Sequence, residues 1–218
     1  MTANDVIGLV TCALLGYVLG SVNVAVIIAK RHGVDILQAG SGNPGATNVK
    51  RVLGKRLGNL VFGLDALKGA AGAWLPALLV ASVLATEVTF TQQTAGFIGV
   101  LLGHCFSCFL GFRGGKGVAS TIGGLLVLLT IPVLVGALLW ALVFFSTRYV
   151  SLASITLGLS LPLSCWFLPQ VTGLSYGREE FAVAAFLAGF NVWTHRSNLA
   201  RLLRGEENRF AKSKDNLS

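Results

Sequence analysis

Charged side chains are scarce in this sequence. Only 12% of its 218 residues are Asp, Glu, Lys or Arg, whereas a soluble domain carries about 25%. Hydrophobic residues make up 54% of the chain, and neither a soluble domain nor a low-complexity linker can be recognised. The scarcity of charge excludes an ordinary soluble protein. It predicts a single transmembrane domain over residues 1–218.

Long apolar runs stand where charged surfaces would otherwise be. Several are long enough for the roughly 17 to 25 residues that span a bilayer as a helix. They lack the alternation of barrel strands, and a backbone exposed to lipid must satisfy its own hydrogen bonds. The prediction is therefore an all-α, polytopic integral membrane protein. The clearest runs are 6–29, 59–85, 94–112, 151–168 and 181–193.

The stretch 117–146 decides the number of crossings. As one helix it would extend about 45 Å at ~1.5 Å per residue, beyond a bilayer core of about 30 Å. Two helices that break near Pro132 give seven transmembrane helices, with the N-terminus outside and the C-terminus cytoplasmic. Most Lys and Arg residues of the loops and tail then lie inside, as the positive-inside rule requires. The basic tail, which includes Arg209, Lys212 and Lys214, is interpreted as setting the membrane orientation and contacting anionic membrane lipid. No nucleic acid partner is expected.

Cysteine is also rare, and the four cysteines form no framework. Cys105 and Cys108 stand beside His104 and suggest metal ligands. A zinc site would need a fourth ligand and usually a second close pair, and the sequence offers neither. Neither a metal nor another cofactor is predicted.

Polar residues concentrate in three short stretches that follow the first, third and seventh predicted helices. Because each stretch follows an odd-numbered crossing, all three are predicted to lie on the cytoplasmic side of the membrane. The first stretch is SGNPGATN, residues 41–48, whose glycine and proline residues exclude a helix interior or a core strand. Asn43 and Asn48 bind a ligand or, alternatively, hold the loop, since Thr47 or Asn48 can cap the next helix. Arg51 stands where a guanidinium can grip a phosphate in bidentate fashion.

The second stretch is GFRGGKG, residues 111–117, directly before an apolar helix. Gly114, Gly115 and Gly117 allow backbone N–H groups to approach a ligand, and Lys116 supplies full charge, which together predict a phosphate cradle. Lys116 is followed by Gly117 and preceded by a membrane helix, so this is not an ATP-binding Walker loop. The alternative is a tight turn between helices.

The third stretch contains His195 and Asn198, which share a helix face and are placed to hold adjacent hydroxyl groups. An interfacial histidine is the alternative. Asp65 and Lys68, also three residues apart, fall inside the second predicted helix, where ionisable groups are usually paired or functional. An intrahelical structural pair is the favoured interpretation of these two residues.

Four stretches together resemble a known family: GSGNPGATNVKR, LGHCFSCFLGFRGGKGVAS, RYVSLASI and HRSNLARLLRGEENRF. They are similar to the acyl-phosphate-dependent glycerol-3-phosphate acyltransferases of the PlsY type, from the first helix to Phe210. The resemblance implies a seven-helix enzyme of the bacterial inner membrane with its active site facing the cytoplasm. It would move a fatty acyl group from acyl phosphate to the 1-hydroxyl of sn-glycerol 3-phosphate. Lysophosphatidic acid and phosphate result, in the first step of bacterial phospholipid synthesis, without a cofactor or an obligatory protein partner.

The resemblance also implies site residues. The first motif would bind phosphate and polar substrate groups, the glycine motif would form a phosphate loop, and the last would hold the glycerol. Glu207 matches a motif acid that is structural rather than catalytic. The catalytic set is Ser41, Arg51, Lys116, His195 and Asn198, and the remaining substrate-binding set is Asn43, Gly45, Thr47, Asn48, Gly114, Gly115 and Gly117.

Three positions depart from the family pattern. Ser107 replaces a usual Pro, Arg113 a usual Lys, and Asn23 stands where the first helix commonly has Pro or Thr. None of these differences removes a charge from the site. They put the bends of the helices in doubt more than the chemistry.

A general-base pair is missing. Thioester-using glycerol-phosphate acyltransferases carry His and Asp separated by four residues, whereas here Leu37, Phe109 and Ala200 follow the three histidines at that distance. The leaving phosphate is therefore expected to accept the hydroxyl proton itself. The rival function is a transporter or channel for a phosphorylated or anionic solute, and a second rival is another membrane enzyme acting on phosphorylated lipid precursors. No inverted repeat supports the transporter.

Overall fold

The computed structural model describes residues 2–210, and its regular structure there is helical. This agrees with the predicted all-α class. A single isolated bridge, between Ser107 and Arg113, joins two loop residues in the described part of the chain. The helices are α1 Ala3–Ser21, α2 Val24–Arg31, α3 Ala46–Leu53, α4 Lys55–Leu84, α5 Phe90–Cys105, α6 Val118–Leu128, α7 Thr130–Thr147, α8 Val150–Thr172, α9 Arg178–Thr194 and α10 Arg196–Leu203, with a 3₁₀ turn at Cys108–Leu110.

Every apolar stretch predicted to cross the membrane contains a helix. Within residues 2–210, four helical segments are long and apolar enough to span a bilayer: Ala3–Arg31, Lys55–Leu84, Thr130–Thr147 and Val150–Thr172. α6 is a shorter apolar helix. The count of seven crossings and the orientation of the termini stay predictions. Lys212 and Lys214 of the basic tail lie outside the described residues.

The break in the stretch 117–146 falls at Leu129, three residues before the predicted position. Leu129 has φ −141° and separates α6 from α7. Pro132 instead lies in the first turn of α7. There its missing N–H costs nothing, because the first four N–H groups of a helix have no intrahelical partner. The stretch therefore forms two helices, but the proline does not separate them.

The first predicted helix is also divided. α1 ends at Ser21 and α2 begins at Val24, with Val22 and Asn23 in extended conformation between them. The Asn23 side chain caps α2, since its Oδ1 accepts a hydrogen bond from Val26 N at 3.0 Å. A capping amide in an otherwise apolar run was the sequence signal for this break.

The chain divides into two compact units, Met1–Thr130 and Ile131–Ser218. In the first unit α1 packs along α5 and α4, while α4 also contacts α3 and α6. In the second unit α8 packs against α9, and α10 contacts both.

Small residues of α4 lie at its interfaces with other helices, and several of its leucines face outward. On α4, Gly69 and Gly72 are buried whereas Leu67 and Leu75 are exposed. A Cβ at Gly69 would overlap Ser120 O, which shows how closely α6 approaches. Helices in lipid gain little by burying large apolar side chains, and they associate through small residues that let backbones meet. The exposed leucines are consistent with a lipid-facing surface.

Candidate active site

Asn48 organises the loop between α2 and α3. Its Oδ1 accepts a hydrogen bond from Ser41 N at 2.9 Å, and its Nδ2 donates to Ala39 O at 2.9 Å and to Ile36 O at 3.3 Å. The side chain is 1% exposed. An amide has two N–H donors, and both are used by these carbonyl groups. Asn48 thus bonds the loop before α3, while Gly45 occupies the cap position of α3 without a side-chain bond.

Around this amide the loop turns sharply. Gly40 has φ +61°, and a Cβ there would overlap Asn48 Oδ1. Asn23 Nδ2 donates to Pro44 O at 3.3 Å, which fastens the loop to the break between α1 and α2. The result is a loop whose backbone is held by two asparagine side chains from different parts of the sequence.

The other first-motif residues lie nearer the surface. Ser41 and Arg51 are exposed, whereas Asn43 and Thr47 are half-buried. Thr47 and Arg51 are four residues apart on α3 and therefore share a face. This face offers a hydroxyl and a guanidinium side by side, which are groups that bind phosphate oxygens.

The second loop, residues 111–117 and called the glycine loop below, is packed tightly against the end of α5. Its glycines are needed for that packing. Gly115 N donates to His104 O at 3.1 Å. A Cβ at Gly114 would overlap that same carbonyl oxygen, and one at Gly115 would overlap His104 Nε2. Gly117 has φ +78°, and a Cβ there would overlap Leu101 Cδ1. The predicted tight turn and the predicted cradle therefore share the same three glycines.

Lys116 lies half-buried between these glycines, one residue before the cap of α6. The cap is Gly117, which has no side chain to bond the first-turn N–H groups. Such N–H groups and the helix dipole favour an anion. Lys116 adds a full positive charge at the same place. The arrangement has the components of a phosphate site.

Asp65, Lys68 and His104 form a buried cluster behind the second loop. Lys68 Nζ lies 3.2 Å from Asp65 Oδ1 and 3.2 Å from His104 Nδ1. It also donates to Gly20 O at 3.2 Å and Val22 O at 3.0 Å. The predicted pair of Asp65 and Lys68 is thus formed, but Lys68 reaches well beyond its own helix.

The cysteines weighed as metal ligands separate in the structure. Cys105 is buried at the last residue of α5, and Cys108 is exposed on the 3₁₀ turn. His104 directs Nδ1 at Lys68. No group of three or more possible metal ligands is found among the described residues.

His195 stands between α9 and α10 and is 3% exposed. Its Nδ1 lies 2.9 Å from Asn191 O. A carbonyl oxygen only accepts, so Nδ1 carries a proton and Nε2 is the acceptor nitrogen of the neutral ring. The hydrogen bond fixes the ring orientation.

Glu207 gathers three side chains from α8 and α10. Oε1 accepts from Asn198 Nδ2 at 2.7 Å and Ser151 Oγ at 2.9 Å, and Oε2 accepts from Arg201 Nε at 2.8 Å. Burial alone would raise the pKa of this carboxyl group, but the three hydrogen bonds and the Arg201 charge together lower its pKa below the ordinary 4.5. The charged carboxylate thus orients Asn198, a predicted glycerol ligand.

The structure brings the predicted residues together in three local groups. Ser41 meets Asn48, the glycine loop surrounds Lys116 and covers His104, and Asn198 meets Glu207. The convergence of all three groups on one surface stays a prediction, as do the individual catalytic roles.

Sequence reasoning missed the supporting roles of Asn23, Ser107 and His104. Asn23 and Ser107 are two of the three positions that depart from the family pattern. Asn23 caps α2, and Ser107 Oγ donates to Ser21 O, at the last residue of α1, at 2.6 Å. The bends that these substitutions put in doubt are therefore stabilised by polar side chains.

Comparisons with known proteins identify the family of the chain. Residues 10–205 match the family model for glycerol-3-phosphate acyltransferase. The glycerol-3-phosphate acyltransferase of Shouchella clausii (strain KSM-K16) is 38% identical over 208 residues, which cover 95% of this chain and 98% of that protein.

Two solved structures of PlsY (YgiH), an integral membrane glycerol 3-phosphate acyltransferase, share the fold. The glycerol 3-phosphate form has a TM-score of 0.79 at 36% identity, covering 96% of this chain and 99% of that one. The lysophosphatidic acid form has a TM-score of 0.76 at 37% identity, covering 93% and 95%. The chain therefore belongs to the glycerol-3-phosphate acyltransferase family, the family of the integral membrane enzyme PlsY.

Proposed function

We propose that this chain transfers a fatty acyl group from acyl phosphate to the 1-hydroxyl of sn-glycerol 3-phosphate. The observation that carries the proposal is the likeness to one enzyme in two forms, with glycerol 3-phosphate and with lysophosphatidic acid. The second compound is the first with an acyl chain added. The two forms correspond to an acceptor and its acylated product.

Two phosphorylated substrates repel each other, so their meeting requires positive charge and oriented amides. Arg51 on α3 and Lys116 before α6 supply the charges, and the uncapped first turn of α6 supplies N–H groups. Groups of this kind position the reactants and offset charge that develops during transfer. This chemistry supports a donor that itself carries phosphate.

The histidines support a reaction without a protein base. The Lys68 ammonium group only donates, so His104 Nδ1 accepts and the ring proton lies on Nε2. His195 has its proton on Nδ1 and faces a carbonyl oxygen instead of a carboxylate. His104 Nδ1 also lies 3.6 Å from Asp65 Oδ1, which is too far for a hydrogen bond. These contacts differ from those of a histidine whose ring donates a hydrogen bond to a carboxylate, as in a general-base pair.

The leaving group then takes the proton. The 1-hydroxyl oxygen attacks the acyl carbonyl carbon, the bond from that carbon to the phosphate oxygen breaks, and the departing phosphate accepts the hydroxyl proton. A phosphate with a second pKa of about 6, by analogy with phosphoserine, suits this task near neutral pH. Transfer is direct, with no acyl-enzyme.

Purified protein with labelled glycerol 3-phosphate and acyl phosphate tests the donor. Lysophosphatidic acid should form without added metal, coenzyme A or carrier protein, and a quenched reaction should contain no acylated protein. Activity with acyl-coenzyme A or acyl carrier protein alone, or acyl attached to Ser41 or a cysteine, would refute direct transfer. Phosphate release without lipid product would favour a phosphatase, and binding without chemistry a transporter.

We also propose a bacterial inner-membrane location, with seven crossings, the N-terminus outside and the active site facing the cytoplasm, at the first step of phospholipid synthesis. The concentration of basic residues in the loops assigned to the inside supports this orientation. A C-terminal phosphatase fusion should be inactive and a C-terminal fluorescent fusion bright. The reverse pattern would overturn the seven-helix topology.

A further inference from the structure

Lys68 contacts more of the first unit than a helix-stabilising pair requires. A lysine ammonium group has three N–H donors, and three acceptors surround it: Gly20 O, Val22 O and His104 Nδ1. Asp65 Oδ1 lies 3.2 Å away as a counter-charge but makes no hydrogen bond among the described residues. Three of these four contacts of Lys68 therefore reach α1, α5 and the segment before α2, and only the ion pair with Asp65 lies within its own helix.

One side of this cluster leads to the glycine loop. His104 Nδ1 accepts a hydrogen bond from Lys68 Nζ, and His104 O accepts one from Gly115 N at 3.1 Å. Its imidazole lies so close beneath Gly115 that a Cβ there would overlap Nε2. A change in the tilt of this ring would shift Gly115 and, with it, Lys116.

The other side leads to the first loop. The carbonyl groups of Gly20 and Val22 stand at the end of α1, where the chain breaks and helical partners run out. Lys68 satisfies both. The next residue, Asn23, caps α2 and donates to Pro44 O in the first loop. Hydrogen bonds therefore connect Lys68 to both candidate loops in a few steps.

We propose that Lys68 is a positioning residue of the acyltransferase, held by Asp65, that fixes the first loop and the glycine loop relative to each other. The inference rests on the proposed function, in which these loops bind the phosphorylated substrates. Lys68 acts through its hydrogen bonds to the α1 end and to His104, and it touches no substrate.

The cost of the pair supports a role beyond helix stability. The Asp65 and Lys68 side chains are 2% and 6% exposed. Buried pairs are often replaced by apolar residues without loss of stability, and charges inside membrane helices are expensive. If the pair only stabilised α4, apolar residues could replace it without loss of stability. An apolar residue at position 68 could not donate hydrogen bonds to Gly20 O and Val22 O or orient the His104 imidazole.

The test uses the double variant Asp65→Asn/Lys68→Met in the full-length protein. Removing both charges avoids leaving one buried and unpaired, so the variant should purify as a folded protein. We expect kcat for lysophosphatidic acid formation to fall ~10- to 100-fold, since a misplacement of about 1 Å can cost ~100-fold. Lys68→Arg, which keeps the donors, should recover part of the activity that Lys68→Met loses.

Cys105 reports the state of the glycine loop directly. It is 6% exposed, and its Sγ lies 3.3 Å from the position of a Cβ on Gly117. In a Cys108→Ser background, maleimide labelling of Cys105, located by peptide mapping, should be faster in the double variant. Gln92→Leu is the matched control, because it removes a buried polar side chain at the opposite end of α5. It should lower Tm without changing kcat or the protection of Cys105.

A second variant, His104→Gln, keeps the charged pair and interrupts only the link to the glycine loop. It should reduce kcat and expose Cys105 even if the double variant does not fold. Wild-type kcat and protection in folded His104→Gln or in the folded double variant would overturn the proposal. So would losses that merely follow Tm, as in Gln92→Leu. Wild-type protein assayed in parallel distinguishes the positioning role of Lys68 from the proposed acyltransferase function. If the wild type made no lysophosphatidic acid, the proposed function itself would be refuted.

Discussion

The first loop and the glycine loop reach a fixed shape by opposite means. The first is bonded around one buried side chain, the Asn48 amide, which joins three backbone groups. In the second, Gly114 and Gly115 have no side chain, and their backbone lies directly on the end of α5. In one loop a polar residue provides structure, and in the other the absence of side chains does.

The contrast distinguishes the residues that shape each loop from those proposed to bind substrate. In the first loop the amide most suggestive of ligand binding is used by the protein, so exposed Ser41 and Arg51 are the groups presented outward. In the glycine loop the glycines are needed for packing, and Lys116 brings the charge. Arg51, on the helix that follows the first loop, and Lys116, within the glycine loop, are the two cations of the proposed site. Polar composition alone does not separate a ligand-binding residue from a structural one.

The largest effect should come from placing a side chain in the glycine loop. The Cβ of Gly114→Ala would overlap His104 O and lie 2.6 Å from Cys105 O. Neither backbone oxygen can move without shifting α5, so the loop must shift. We expect kcat/KM for lysophosphatidic acid formation to fall ~100-fold or more, given the steep dependence of rate on position.

Gly111→Ala is the matched control for this substitution. Gly111 has φ +61°, but no atom lies within 4 Å of its added Cβ. The variant should cost only about 1–2 kcal/mol of backbone strain. Activity of Gly114→Ala equal to that of Gly111→Ala would contradict the close packing of the loop.

The next effect tests the first loop. Asn48→Asp keeps the shape of the side chain but removes both donors to Ile36 O and Ala39 O. Ala39 O still accepts from Gly42 N at 3.1 Å, but Ile36 O loses the Asn48 donor. A buried carbonyl group left without a partner costs about 1–3 kcal/mol, so the free energy of unfolding should fall by about that amount. Thermal melts in detergent measure this. Half-buried Asn43→Asp should melt near wild type, and equal losses in the two variants would remove the special role of Asn48.

The two cations should affect catalysis and not folding. Arg51→Ala and Lys116→Ala should each lower activity by ~10-fold or more, because a charge-assisted contact is typically worth about 1.5–3 kcal/mol. Size-exclusion profiles and Tm should be little changed, since Arg51 is exposed and Lys116 half-buried. Lys55→Ala, an exposed lysine at the start of α4, is the control. Full activity in either folded variant would remove that residue from the site.

These expectations show how far sequence reasoning reaches. Apolar runs and loop composition predicted the helices and located both loops, because hydrophobic length and glycine content are local properties. The break at Asn23 and the contacts of Lys68 were missed, since a capping amide and a lysine resemble their neighbours until helices from distant parts of the chain meet. Asn48 was left open between ligand and structural residue, which only its three bonding partners distinguish.

The smallest predicted effect concerns Glu207. Its carboxylate accepts a hydrogen bond from Asn198, a candidate substrate-binding residue, much as the Asn48 side chain bonds the backbone of the first loop. Its pKa is lower in the folded protein than the ordinary 4.5, so the bound carboxylate contributes stability above pH 4.5. That contribution is lost as the pH falls through the folded-state pKa.

Glu207→Gln removes this dependence and places an amide N–H against Arg201 Nε or the other two donors. It should therefore melt below wild type at pH 7, and the gap should narrow at a pH below 4.5, because only the wild type has this carboxyl group to protonate. About 1 kcal/mol corresponds to roughly 2–4 °C in a chain of this size, so the change should be a few degrees. Glu206→Gln is the control, because Glu206 forms an exposed pair with Arg204 and such pairs contribute little. An unchanged gap between Glu207→Gln and wild type at the two pH values would mean that the charge on Glu207 does not hold Asn198, leaving hydrogen-bond geometry alone to orient it.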